Sequence, residues 1–286
     1  MPAANATLYA WVVPAFVTGS PVDHTWVTSF DNRRSRYPKI ADVVAAKESC
    51  WFCWGSYHPA GAIPGNPDGA LGSRSASLSL ASCLVTPNAD SRTVAGARGT
   101  IFKYGLDGVC HQLANQVLYA TGTGRTQPMT VQGARGYMAS TFVYGTYGLQ
   151  HSAWAAKIAS CGAATKAFPP SGVWTGAGGG LSPGGGDGDA PMDEPDDFTR
   201  RASEVLANEP ETLSRLLALK GEVQMYAAQR MPTSLAPPAD FLNARNQQLI
   251  DEAGRLLGDD SFEKIFGFRK DERINLVDPT LYSIEE

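Results

Sequence analysis

Tyr104-Gly105-Leu106-Asp107-Gly108-Val109-Cys110-His111-Gln112-Leu113-Ala114-Asn115-Gln116-Val117-Leu118 is the stretch on which the fold turns. A turn built from two glycines and an aspartate runs into Cys110, and a helical pattern begins there. Leu113, Val117 and Leu118 fall on one stripe, with Ala114 beside them. Asp107 is the expected N-cap, and Gly108 lets the chain enter tightly. Cys110 is thereby placed in the first helical turn, where unpaired backbone N–H groups and the macrodipole favour an anion. A thiol so placed ionises more easily, and the thiolate is the nucleophile. The alternative is a buried structural cysteine, because a free Cys packs like a small hydrophobe.

Working outward, the helix is expected to run to about residue 121, ended by Gly122-Thr123-Gly124. Upstream, residues 7–18 are β-branched and aromatic, broken by Pro14, and read as one strand or two short ones. In Asp23-His24-Thr25-Trp26-Val27-Thr28-Ser29-Phe30-Asp31 the side chains alternate with a strand-like period, His24 standing at its start. Residues 50–58 form a further β-like run dense in aromatics. Residues 59–75 read as loop by their Gly, Pro, Asn and Asp content, and 78–86 as strand. Residues 137–149 fit a strand or a helix.

The composition of the 286 residues bounds the class. Hydrophobic residues make up 43% and charged ones 18%, enough for a sizeable core. The net charge of -4, with no basic run, gives no reason to expect nucleic acid. No apolar run approaches a transmembrane length. No Lys or Arg precedes the first apolar run, so no secretory signal is expected and a cytoplasmic location is. Five cysteines, an odd number in a chain this long, favour free thiols.

A change of character at residues 171–195, with Gly178-Gly179-Gly180 and Gly184-Gly185-Gly186 among prolines and acidic residues, marks a flexible linker. The acidic residues there and beside it, Asp196 and Asp197 included, read as a solvating spacer rather than a metal cage. Beyond, helices are expected at 198–207, 211–230 and 239–257, with a short apolar piece at 261–268. The expected division is therefore an α+β catalytic domain at 1–170, the linker at 171–195, and a helical C-terminal region at 196–286. That helical unit would dock on the first domain or hold a protein partner.

Thiol catalysis needs a base beside the sulfur and a polar group to orient the imidazole. His111 follows Cys110 directly, so its side chain points about 100° away along the helix. His24, at a strand edge, can meet a helix start across the sheet. The order of a strand opened by His, a second strand, then a Gly-containing turn into a Cys-headed helix resembles the circularly permuted papain-like superfamily. That group holds lecithin–retinol acyltransferase-like and NlpC-type thiol enzymes. Gly108-Val109-Cys110-His111-Gln112-Leu113-Ala114-Asn115 is similar to their Cys-bearing helix start, and Asp23-His24-Thr25-Trp26-Val27 to their His-containing strand. Val109 stands where that group often has Asn, and His111 follows Cys110 without an intervening residue.

The resemblance, carried by about residues 20 to 125, implies an antiparallel sheet with a Cys-bearing helix, to which the pattern beyond the linker adds a helical appendage and an α+β class. It makes Cys110 the nucleophile and His24 the general base of a hydrolase or acyltransferase, acting through an acyl-thioester on an amide or ester. The backbone N–H of Cys110 would help hold the oxyanion. The orienter would be His58, with Ser56 or Asp31 behind it. No cofactor is needed, and the substrate would be a peptide, lipid or cell-wall-type acyl compound. Two alternatives stand beside this reading. One is a non-enzymatic binding or assembly protein using the helical tail. The other is a zinc or redox protein through Cys50 and Cys53, although residues three apart on a strand face opposite sides. Arg135 is expected in a surface salt bridge.

Overall fold

A computed structural model describes residues 5–13, 21–28, 69–77, 80–81, 104–122, 127–149, 195–229 and 237–279. Strands β1 (Asn5–Val13), β2 (His24–Thr28) and β3 (Gly69–Ser77) form an antiparallel sheet in the order β2-β1-β3. β1 carries the β-branched and aromatic residues that suit a pleated surface, and it takes the central place. Its register sets Val13 opposite His24 and Trp11 opposite Trp26. Leu8, Ala10 and Trp11 are fully buried, as are Thr25, Trp26 and Val27. Consecutive buried residues mean that β1 around Ala10–Trp11 and β2 around Thr25–Val27 are covered on both faces, while Thr7 and Tyr9 stay half-buried.

β3 corrects the sequence reading, which ends a loop at residue 75 and begins a strand at 78. The strand lies earlier, at Gly69–Ser77, while Leu80 and Ala81 are helical. Its Gly and Ser residues have little intrinsic β preference. Main-chain pairing with β1 decides the matter instead, and a bulge opposite Ala10 and Trp11 absorbs Leu71.

Six α-helices follow among the described residues: α1 (Cys110–Leu118), α2 (Tyr137–Tyr144), α3 (Asp197–Val205), α4 (Pro210–Ala228), α5 (Ala239–Leu256) and α6 (Asp259–Phe266). A short 3-10 turn, Tyr119–Thr121, prolongs α1 up to Gly122. The fold is therefore of mixed α+β class. The open choice at 137–149 resolves as helix. The C-terminal helices start and stop within a few residues of the expected bounds, since their signals are local. Asp196 caps α3 through the Thr199 N–H at 2.8 Å, Pro210 opens α4, and Gly267, at φ 81°, closes α6.

α1 packs across β2, and α2 packs on α1 and on all four C-terminal helices. Phe142 of α2 meets Phe198 and Phe266 at ring separations of 5.3 and 5.5 Å. One continuous buried cluster runs from Leu8 to Val277, so sheet and C-terminal helices share a core. Asp196 and Asp197 are ties rather than spacers. Asp196 pairs with the largely buried Lys220. Asp197 accepts from Thr130 Oγ1 at 2.6 Å, from the Tyr137 hydroxyl at 2.8 Å and from Arg200. Residues 171–194 of the expected linker lie outside the described residues. No helix among the described residues is long and apolar enough to cross a membrane.

Candidate active site

All nine residues of α1 are buried, the polar ones included. Leu113, Val117 and Leu118 form the expected stripe. The opposite side binds backbone: Asn115 Nδ2 donates to Thr146 O at 2.9 Å, Gln116 Nε2 to Tyr147 O at 2.8 Å and Gln112 Nε2 to Gly145 O at 3.0 Å. The helix start also differs from the sequence reading. The N-cap is Val109, not Asp107, and its N–H is satisfied by Gln112 Oε1 at 3.0 Å. A tight Gly105 N–H to Gly108 O bond of 2.7 Å holds Asp107 back in the turn, where its carbonyl accepts from Leu149 N at 2.7 Å. With a Val cap, the long N3 side chain reaching back is what remains to satisfy the N-cap donor.

Cys110 heads this helix, and its thiol is free. It lines one pocket with Val22, Asp23, His24, Tyr104, Leu276 and Asp278. His24 at the start of β2 and Cys110 at the start of α1 therefore border one pocket, although 86 positions of chain separate them. The pocket is narrow, with room for about one water-sized group. Cys110 and His24 are each 5% exposed. Trp26 walls His24 on one side, ring to ring at 6.1 Å.

Burial pushes the Cys110 thiol up to about 11. The backbone and hydroxyl of Thr25 and the His111 backbone pull it down, while the Asp278 carboxylate pushes it up. At neutral pH the isolated thiol is thus protonated, and Sγ approaches Asp23 O at 3.9 Å as a donor. Chemistry at this sulfur requires a base, and an imidazole lines the same pocket.

His111 does something the sequence did not indicate. Its ring is fully buried, with Nε2 3.0 Å from Asp23 O and Nδ1 2.8 Å from Ser140 Oγ. A carbonyl only accepts, so Nε2 carries the proton. Burial lowers the pKa to about 4, so the ring is neutral, and its Nδ1 shares the one proton of the Ser140 hydroxyl with Tyr137 O, 2.8 Å from the same oxygen. Asp23 is held from two further directions: its N–H donates to Arg135 O at 3.1 Å, and its Oδ2 accepts from Arg135 N at 2.8 Å. The residue before the candidate base is thereby fixed to both α1 and the start of α2. The Arg135 side chain forms the expected surface ion pair, with Glu272.

Gly136 completes this clamp. Its φ is 82°, and a Cβ there would stand 2.7 Å from Val22 Cγ1, in the pocket wall. Gly136→Ala is expected to lower stability by about 2 kcal/mol, from the left-handed backbone and the displaced valine. Urea unfolding measures this, and a loss under about 0.5 kcal/mol would contradict the strained geometry.

Tyr104, Leu276 and Asp278 escaped the sequence reading. Tyr104 and Asp278 are 174 positions apart, joined by a 3.1 Å bond from Asp278 N to the tyrosine hydroxyl. No spacing or periodicity marks such a pair. His58, Ser56 and Asp31, the candidate orienters, lie outside the described residues, as do Cys50, Cys53, Cys83 and Cys161. Among the described residues no three His, Cys, Asp or Glu side chains gather as a metal site. Comparison with known proteins gives no family model, no curated protein and no solved structure that matches this chain.

Proposed function

We propose that this chain is a cysteine-dependent hydrolase or acyltransferase that attacks an amide or ester through Cys110, with His24 as general base. The observation that carries this reading is the shared pocket of the Cys110 thiol and the His24 imidazole at a helix start. His24 takes the thiol proton as the sulfur adds to the substrate carbonyl. The developing oxyanion lies toward the backbone N–H groups that open α1. Collapse expels the amine or alcohol, which receives the proton from the imidazolium and leaves a thioester on Cys110. Water or a second acceptor, deprotonated by His24, then releases the acyl group, which separates hydrolysis from transfer. The His-headed strand, the Cys-headed helix and the antiparallel sheet support kinship with the permuted papain-like enzymes. A peptide, lipid or cell-wall-type acyl compound is the corresponding substrate class.

A second reading, a binding or assembly protein with an inert structural cysteine, is favoured by the burial of Cys110 and its raised thiol pKa. Alkylation by iodoacetamide at pH 7, followed on the Cys110 peptide by mass spectrometry, separates the two. The enzyme reading expects a label that vanishes in Cys110→Ser and forms about 10²- to 10⁴-fold more slowly in His24→Ala, the usual worth of a positioned base. Equal rates in wild type and His24→Ala favour the inert cysteine and sink the enzyme reading.

A further inference from the structure

An acyl carbon must come within about 3–3.5 Å of the sulfur for attack, and the pocket holds about one water. A substrate therefore cannot reach Cys110 in this conformation, and some wall has to move. Val22, Asp23 and His24 belong to the clamp around β2. Cys110 heads a helix whose every residue is buried, and Tyr104 sits in the turn before it. Displacing any of these would break the sheet or the polar face of α1. Leu276 and Asp278 are different, because residues 273–278 after α6 lie in neither a helix nor a strand.

Side chains hold this segment in place. Asn243 of α5 grips Val277 twice, Nδ2 donating to its carbonyl and Oδ1 accepting from its N–H, both at 2.8 Å. Gln247, one turn further along α5, accepts from Ile274 N at 2.9 Å. Asp278 N donates to Tyr104. Ile274, Leu276 and Val277 are buried while Asn275 is exposed, so the segment reaches the surface at Asn275 and turns three apolar side chains inward. Lifting also has to free Ile274, Leu276 and Val277 from the shared core, yet a segment outside the regular elements opens at less cost than the sheet and α1.

We propose that residues 274–278 form a strap over the Cys110–His24 pocket, and that the strap must lift from α5 before an acyl substrate can reach the sulfur. The inference rests on Cys110 being the nucleophile. Lifting removes a leucine wall and a carboxylate together. Burial first, and the carboxylate after it, oppose formation of the thiolate, so the closed form keeps the sulfur both covered and protonated.

The test uses the full chain, iodoacetamide as probe and the Cys110 peptide as readout. Asn243→Ala, which removes both bonds to Val277, and Gln247→Ala, which removes the bond to Ile274, are each expected to raise the alkylation rate about tenfold. The rate in these variants should rise only shallowly with urea below the unfolding transition, because strap opening exposes little surface. Rates equal to wild type in both variants would overturn the strap, as would a urea dependence as steep as that of global unfolding. Adding His24→Ala to the opened variant separates this inference from the reading beneath it. A rate that falls supports both, whereas one that stays high keeps the strap and removes His24 as the base.

Discussion

Acidification from pH 6.5 to 4 is expected to lower the unfolding free energy by about 3 kcal/mol through His111 alone. The folded ring is held neutral by burial, its pKa lowered to about 4, and it is bonded to Asp23 O and Ser140 Oγ. In the unfolded chain the same ring titrates near 6.5. Between those values the unfolded state binds a proton that the native state does not. The contribution is therefore complete above pH 6.5 and is lost as pH falls towards 4. His111→Gln is expected to be less stable at pH 7 but to lack this slope. Urea unfolding of both proteins at several pH values isolates the effect as the difference between two curves. Parallel curves would show that the ring carries a proton in the folded state or never loses contact with water.

The second large effect is expected at Tyr137, the first residue of α2. Asp197→Ala should cost about 2–3 kcal/mol, the range for leaving buried hydroxyl partners unsatisfied, because the ion pair with the exposed Arg200 adds little. The carboxylate serves Thr130, the wholly buried Tyr137 hydroxyl and Arg200, so removal takes the acceptor from two hydroxyls, while the exposed guanidinium keeps water and Gln132 Oε1. The damage should spread, because Asn115 Nδ2 of α1 also donates to the Tyr137 hydroxyl, at 3.1 Å. Asp197→Asn keeps an acceptor and should cost markedly less. Denaturant midpoints at constant m-value measure both, and a loss below about 1 kcal/mol for the alanine variant would refute the tie.

What the sequence disclosed follows the range of the forces involved. Helices α3 to α6 are written in caps, prolines and apolar spacing, all local signals, and were legible. So were His24 as a strand start and Cys110 as a helix start, because both depend on a few neighbouring residues. β3 was not, since Gly69–Ser77 has the composition of a loop and is a strand only because β1 lies alongside. The cap of α1 was misread at Asp107 because an unseen bond between Gly105 and Gly108 takes that residue out of reach. Asp196 and Asp197 looked like spacer because an acidic run gives no hint of the tyrosine, threonine and lysine that fold against it. The outer wall of the pocket comes from a segment with no pattern of its own, fastened by Asn243 and Gln247, which themselves sit within an ordinary helical repeat.

The buried polar side of α1 has a bearing on how this chain can drift. Gln112, Asn115 and Gln116 each answer backbone groups in the turn 145–147, so a quarter-turn roll of that helix would leave several of them unanswered at once. The cylinder is keyed like a lock barrel, and the azimuth of its leading sulfur is set by amides two and three residues behind its first turn. Neutral substitutions should therefore accumulate on the solvent side of α4 and α5, while these three buried amides remain confined.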